Sequence, residues 1–418
     1  MYAFRQTVRM EKRIPQPFRR GGPTLQPWFV AKGDGWRKNG YGRALVTRSG
    51  RTLRAGLCGV LLAALAPRAV FTQVFLRSAP GGDIDEVLVK SPALDGNLLG
   101  DSPTRHVSIY LPPSYGKGPS HYPSLYLLHG YLGSDRSWTD GERIDIQKIA
   151  DRLMLGGKMR EMIIVMPDAS NRYLGSMYTD SATTGKWEEF ITQDLVRYVD
   201  RRYRTSTKAE SRGIAGHDMG GYGALKLAMK HPDVFSAVYA MSACCIEWGP
   251  DLSPGNVAWD RALRFERMKE FDATEKEFSH PKPDSDRAGA FFSMAFMAMA
   301  AAWSPDPEKP PFFLTLPVEK REGGRAAVAA VANAWSAHML LPECARYRAN
   351  LVRLRGLAFD VGKQEQFPSI LAGARDLDRE LTRASIQHEF EEYEGTHLSG
   401  IAARLETKVL PFFSRVLE

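Results

Sequence analysis

Cysteine is scarce, four residues in 418. That excludes a disulfide framework at this length, and none of the four has the CxxC spacing of a zinc site. Cys58 falls in a basic leader, which leaves Cys244, Cys245 and Cys344, an odd number, so at least one thiol stays free unless a partner chain takes it. No P-loop, no Rossmann glycine pattern, no internal repeat and no low-complexity tract occurs, so neither a cofactor nor a metal is expected. Asp135 and Asp168 read as exposed loop acids rather than as metal ligands. What is present describes a globular chain: 44% hydrophobic, 10% aromatic and 25% charged residues supply enough apolar matter for a large core and exclude a disordered polymer.

The net charge of +8 would suggest a nucleic-acid or membrane-surface partner if it were evenly spread. It is not. Residues 1–78 carry 15 Lys and Arg against Glu11 and Asp34, a balance of +13, while residues 79–418 carry 41 basic and 46 acidic residues, a balance of −5. The basic character belongs to the leader, and no nucleic-acid partner is expected for the body.

Within the leader, Arg48, Arg51 and Arg54 precede the uncharged run Ala55–Ala66 (AGLCGVLLAALA). A basic segment, a short apolar segment and small residues are laid out as in a secretory signal peptide. Twelve residues rise only about 18 Å as a helix, against about 30 Å of hydrocarbon, so no stable membrane span is expected. The segment at about 46–69 is therefore read as signal-like, with translation starting near Val46 and the product periplasmic or secreted. The alternative is a basic N-terminal arm on a cytoplasmic protein.

Beyond the leader, apolar periodicities alternate. Arg105–Leu111, Ser124–Leu128, Met162–Met166, Gly213–Ala215, Ala237–Met241, Leu357–Val361 and His388–Tyr393 read as strands. Helical spacing occurs over Asp145–Leu155, Lys186–Tyr203 and Gly221–Lys230, the second with Trp187, Phe190, Ile191, Leu195, Tyr198 and Val199 on one stripe. Such alternation predicts an α/β fold with a mostly parallel central sheet and helices on both faces. About 110 residues, 246–355, separate two successive core strands, more than a crossover needs. They hold the Met-rich run Phe291–Trp303 and an Ala-rich helix near Ala326–His338. This insertion reads as a helical lid with Met and Phe lining an acyl or aromatic pocket, or as a helix packed into the core.

The motif with the most chemistry is Gly216-His217-Asp218-Met219-Gly220-Gly221, between a predicted strand and a predicted helix. It is the G-x-S-x-G nucleophile elbow with Asp218 at the nucleophile position. Gly216, Gly220 and Gly221 suit a strained turn that must fold back on itself to present that residue.

Together with Leu127-Leu128-His129-Gly130, Trp187-Glu188, Tyr203-Arg204-Thr205 and Tyr393-Glu394-Gly395-Thr396-His397, the elbow resembles the putative-esterase family of α/β-hydrolases over roughly residues 105–418. That family includes S-formylglutathione hydrolases, feruloyl esterases and mycolyltransferases. The resemblance implies an α/β-hydrolase domain over 79–418 acting on a small-molecule ester or acyl substrate. It places the general base at His397 and the acid after the strand Leu357–Val361, at Glu365, with Asp360 as the fallback. Backbone amides of Tyr131 and Met219 become the oxyanion donors. The family has Ser at the elbow, and Asp218 departs from it.

That departure matters chemically. A carboxylate attacking an ester carbonyl forms a mixed anhydride, and the intermediate expels a carboxylate (pKa about 4) in preference to a far more basic alkoxide. Attack on an sp³ carbon bearing a halide or an epoxide meets no such obstacle. Three readings follow: an exported ester hydrolase with Asp218 as an unusual nucleophile or as a base for water; a dehalogenase- or epoxide-hydrolase-like enzyme; and an inactive pseudo-hydrolase that binds a ligand. The sequence leaves substrate identity and oligomeric state open.

Overall fold

A computed structural model describes residues 81–141 and 143–418. The leader 1–78 and its signal-like segment at 46–69 lie outside the described residues. In chain order the strands are β1 (Asp83–Lys90), β2 (Thr104–Leu111), β3 (Ser124–Leu128), β4 (Ile163–Pro167), a two-residue ribbon β5 (Asp180–Ser181) and β6 (Gly185–Lys186), β7 (Arg212–His217), β8 (Ala237–Met241), a hairpin β9 (Val318–Arg321) and β10 (Gly324–Ala327), β11 (Gly356–Gly362) and β12 (Glu389–Tyr393).

Eight of these form one sheet in the order β1-β2-β4-β3-β7-β8-β11-β12. The pairs β1–β2 and β2–β4 are antiparallel, and every other neighbour in it is parallel. The short apolar strands alternate between two cores. Leu125 and Leu127 of β3 face the helix Ile146–Leu155 and the C-terminal helical segment 401–416, while Tyr126 and Leu128 face the elbow helix Met219–Lys230 and the segment 187–202. Both faces are covered, which is why these strands read as apolar runs instead of alternating ones. Each fully buried Leu contributes about 1.5–3 kcal/mol.

Three differences from the sequence reading have physical causes. Strand β1 carries Asp83, Asp85 and Glu86 and leaves Leu88 exposed, because it lies at the sheet edge and pairs on one side only; its apolar signal is correspondingly weak. The predicted helix Ala326–His338 begins at Ala329 and ends at Ser336, since residues 326 and 327 belong to the hairpin β9–β10, whose turn uses positive φ at Gly323 and Gly324. The amphipathic helix Pro368–Arg383, unread in the sequence, buries Ile370, Ala374, Leu377 and Leu381.

Within the insertion, the helix Arg287–Trp303 packs into the core along one side and lines a pocket with its first turns. Met294, Phe296, Ala300 and Ala301 are buried in the main core, with Phe296 stacked on Trp259 at 3.7 Å, while Phe291 and Phe292 face a pocket. The insertion is tied to the elbow helix by the Tyr222 hydroxyl, which donates to the His338 carbonyl at 2.9 Å.

Candidate active site

The parallel strands end on one side of the sheet, and their following loops bring the site together, as in other open parallel α/β sheets. β3 leads into His129-Gly130-Tyr131, β7 into Asp218, β8 into Ser242–Cys245, β11 into Glu365 and β12 into His397. Asp218 has φ 55° and ψ −117°, a conformation that L residues rarely adopt, and the helix Met219–Lys230 starts directly after it. The turn survives because Gly216 and Gly220 lack side chains: a Cβ on either would collide with backbone, at Gly220 with the Leu128 carbonyl. Gly221 packs against Ala243 and Met241.

Glu365, His397 and Asp218 lie in line. The His397 Nδ1–H donates to Glu365 Oε2 at 2.9 Å, and His397 Nε2 stands 3.7 Å from Asp218 Oδ1. The Glu365 side chain is fully buried, that of His397 is 8% exposed and that of Asp218 16% exposed. Burial alone would lower the His397 pKa, but the bonded Glu365 carboxylate and the nearby Asp218 carboxylate outweigh it and raise it above the ordinary histidine value. The second Asp218 oxygen, Oδ2, accepts the Tyr131 backbone N–H at 2.9 Å. One expected oxyanion donor is thus already occupied by the carboxylate. Met219, the other expected donor, is the first residue of the helix after Asp218.

Five supporting contacts were invisible in the sequence. The His217 Nε2–H donates to the His397 carbonyl at 2.8 Å, and the Gln366 side-chain oxygen accepts the His397 backbone N–H at 3.0 Å. His129 accepts the Ala169 amide at Nε2 and donates from Nδ1 to the Gly130 carbonyl, each at 2.8 Å, which shapes the loop carrying Tyr131. Phe367 packs edge-on to the His397 ring at 5.1 Å. The only hint for Gln366 and Phe367 was their place directly after Glu365.

Asp360, the fallback acid, lies elsewhere. It is buried on the opposite face of the sheet, where it accepts bonds from Arg404 Nε at 2.8 Å and from the Tyr239 hydroxyl at 2.8 Å. Removing the cation would leave a buried carboxylate uncompensated. Arg404→Met is expected to cost roughly 3 kcal/mol of stability, seen as a lower urea midpoint at unchanged slope; an unmoved midpoint would contradict this account. The exposed-acid reading of Asp135 is also corrected: it is buried and accepts the Ser108 hydroxyl at 2.7 Å, while Asp168 pairs with Arg105 at 2.9 Å. Among the described residues no group of three or more His, Cys, Asp or Glu is placed to hold a metal ion, and no helix is long and apolar enough to cross a membrane.

Asp218 opens onto a pocket whose free space, open mouth included, is about 640 Å³. Its wall is aromatic and soft, with Tyr131, Phe291, Phe292, Phe367, Met177 and Met299, and the vicinal Cys244 and Cys245 lie beside Asp218. Phe291 stacks on Phe367 at 5.4 Å and meets Tyr131 edge-on at 5.8 Å.

Known proteins resemble this chain to different extents. Esterase Rv1288 of Mycobacterium tuberculosis is 33% identical over 137 residues, 32% of this chain and 28% of that protein. An endo-1,4-beta-xylanase/feruloyl esterase of Xylanibacter ruminicola is 27% identical over 132 residues, 31% of this chain and 18% of that protein. The chain thus spans less than a third of the length of these curated relatives. A solved ferulic acid esterase superposes with a TM-score of 0.53 at 22% identity, covering 81% of this chain and 99% of the other, which shows the α/β-hydrolase fold. Residues 102–400 match the family described as Putative esterase. With that match spanning well over half of the sequence, the chain belongs to the Putative esterase family of α/β-hydrolases.

Proposed function

We propose that this chain hydrolyses carboxylic esters whose acyl or aromatic part lies against Phe291, Phe292 and Phe367. In this reading His397 removes a proton from water, Glu365 orients and stabilises the imidazole, and the Met219 amide receives the carbonyl oxygen, the Tyr131 amide being taken by Asp218. The observation that carries it is the Glu365–His397–Asp218 line, whose Asp218 end forms part of the wall of that pocket. Because the tetrahedral adduct of Asp218 on an ester carbonyl would expel the carboxylate and revert, Asp218 acts on water rather than on the carbonyl: the 3.7 Å between Oδ1 and His397 Nε2 lets one water reach both. The signal-like run Ala55–Ala66 supports export as part of the same proposal, and N-terminal sequencing of the mature protein, with a start beyond that run expected, tests it.

A second reading is favoured by one contact, Asp218 Oδ2 on the Tyr131 amide. That leaves Oδ1 free to attack an sp³ carbon, displacing a halide or opening an epoxide. His397 would then deprotonate water for addition to the Asp218 carbonyl carbon, the charge gathering on the oxygen that Tyr131 holds, before the product alcohol leaves with Oδ1.

Assays on p-nitrophenyl acetate and on an aryl epoxide, followed by the mass of the Asp218 peptide after turnover in ¹⁸O-water, separate the two. Ester turnover without label supports the first reading. Epoxide turnover with label in Asp218 supports the second, and neither activity, with ligand still bound, marks a pseudo-hydrolase. The pocket gives a further expectation drawn from the feruloyl esterase relatives. Phe291→Ala should weaken binding of a hydroxycinnamoyl ester about tenfold by calorimetry, the loss of part of one buried ring, and leave binding of an acetyl ester nearly unchanged. Equal losses for both esters would remove Phe291 from the acyl site.

A further inference from the structure

Two consecutive cysteines form part of the pocket wall next to Asp218. Cys244 and Cys245 follow strand β8, both are partly accessible, and their Sγ atoms stand 2.9 Å apart. The loop is held from both sides: the Cys244 amide donates to the Asp218 carbonyl at 3.4 Å, and the Cys245 carbonyl accepts the Leu340 amide of the insertion at 3.4 Å. Cys245 sits at φ 59°, and this backbone keeps the two thiols on the same side of the chain. The chemistry above assigns no role to either.

We propose that Cys244 and Cys245 are a vicinal dithiol site that chelates a single thiophilic centre of the monosubstituted arsenic(III) class, with the arsenic substituent lying in the aromatic pocket. Three features select this ligand. Two thiols in contact satisfy a centre that needs two sulfur bonds and carries its own third substituent, whereas the described residues offer no third ligand for a divalent metal ion. A disulfide between the two is disfavoured by chain geometry: consecutive Cα atoms are about 3.8 Å apart, below the usual disulfide range of about 4.4–6.8 Å. Burial and the neighbouring Cys245 thiol also raise the Cys244 pKa well above the ordinary thiol value, which keeps it protonated and slows thiolate attack on peroxides and disulfides.

The reaction balances without an oxidant. An arsenoxide R–As=O and two thiols give R–As bridged by both sulfurs plus one water. Two As–S bonds form, the As=O bond breaks, and its oxygen leaves with both thiol protons while arsenic stays trivalent. An aryl substituent then extends toward Phe291, Phe292 and Phe367. Cys344 is no competitor, being buried on the helix Leu340–Arg346 outside this pocket, with its thiol pushed up to about 12 by burial.

The test uses the reduced full chain and phenylarsine oxide, read by intact mass. One adduct per chain is expected, formed with loss of one water, resistant to excess 2-mercaptoethanol and removed by 2,3-dimercaptopropanol. Cys244→Ser and Cys245→Ser should each lose the thiol-resistant adduct, while Cys58→Ser and Cys344→Ser should keep it. Thermal melts of the four variants confirm folding. Methylarsine oxide should exchange at least tenfold faster than the phenyl compound, and Phe291→Ala should narrow that gap. An adduct that persists in either vicinal variant, or one stripped by the monothiol, overturns the proposal, as does equal exchange of methyl and phenyl compounds for the placement of the substituent. Mass and exchange do not depend on turnover, so the outcome stands whichever catalytic reading holds.

Discussion

Replacing Asp218 with serine is expected to raise kcat/KM for p-nitrophenyl acetate by about 10³-fold or more. The expectation rests on what the substitution removes and on what stays. It removes the oxygen that accepts the Tyr131 amide, so that N–H becomes available to an ester carbonyl; one such donor is worth about 10²–10³ in rate. It also removes a negative charge from the place where the tetrahedral oxyanion would develop. The hydroxyl gained forms an ordinary acyl ester in place of an anhydride, so the intermediate collapses forward. His397, Glu365 and the elbow glycines are already in place. If the serine variant melts at the wild-type temperature and still shows no gain, the surrounding geometry does not support acyl transfer, and the esterase reading loses its main support.

Removing the imidazole from that serine variant should have the opposite effect. His397→Ala in the Asp218→Ser background is expected to lower kcat by about 10⁴-fold or more, since nucleophile and base act as a unit. A second readout separates a general base from a merely structural histidine. Despite burial, Glu365 and, less strongly, Asp218 raise the His397 pKa. A base must be neutral to accept a proton, so activity appears as pH rises through this raised value. Taking away the Asp218 carboxylate removes one of the two raising influences, so the acid limb of kcat/KM should lie at lower pH in Asp218→Ser. Adding Glu365→Gln, which removes the stronger influence, should move it lower still. Stability follows the same linkage. The contribution of charged His397 is complete below its unfolded pKa of about 6.5 and is lost as pH rises through the raised folded value. A pH–rate limb that does not move among these variants would separate the titrating group from His397.

Much of the scaffold was legible because its signals are local. Strands β3, β4 and β8 are short apolar runs, and the helices 146–155 and 219–230 carry apolar stripes, so periodicity located them within a residue or two. Edge strand β1 was missed because pairing on one side tolerates acids. The run Phe291–Trp303 drew two competing interpretations because composition does not say which side of a helix meets the core and which meets a cavity. In the fold one face does each, and the single aromatic-rich sequence serves packing and pocket together.

The sequence by itself determined the α/β alternation and the glycine-flanked elbow with its carboxylate Asp218, while the family resemblance it carries pointed to His397 and Glu365. The first two depend on local geometry, alternating periodicities and a strained turn at a strand end. Only the tertiary structure decided how they meet. It sent Asp360 to the opposite face, because side chains alternate along β11 and Arg404 waits there, and it gave Glu365, beyond the strand end, the imidazole. It joined His217 to the His397 carbonyl across 180 positions and seated one Asp218 oxygen on the Tyr131 amide. Such contacts are set by sheet order and by packing between distant segments, which no local pattern encodes. They turn an unusual letter in a motif into a carboxylate with one oxygen on the Tyr131 amide and the other beside His397.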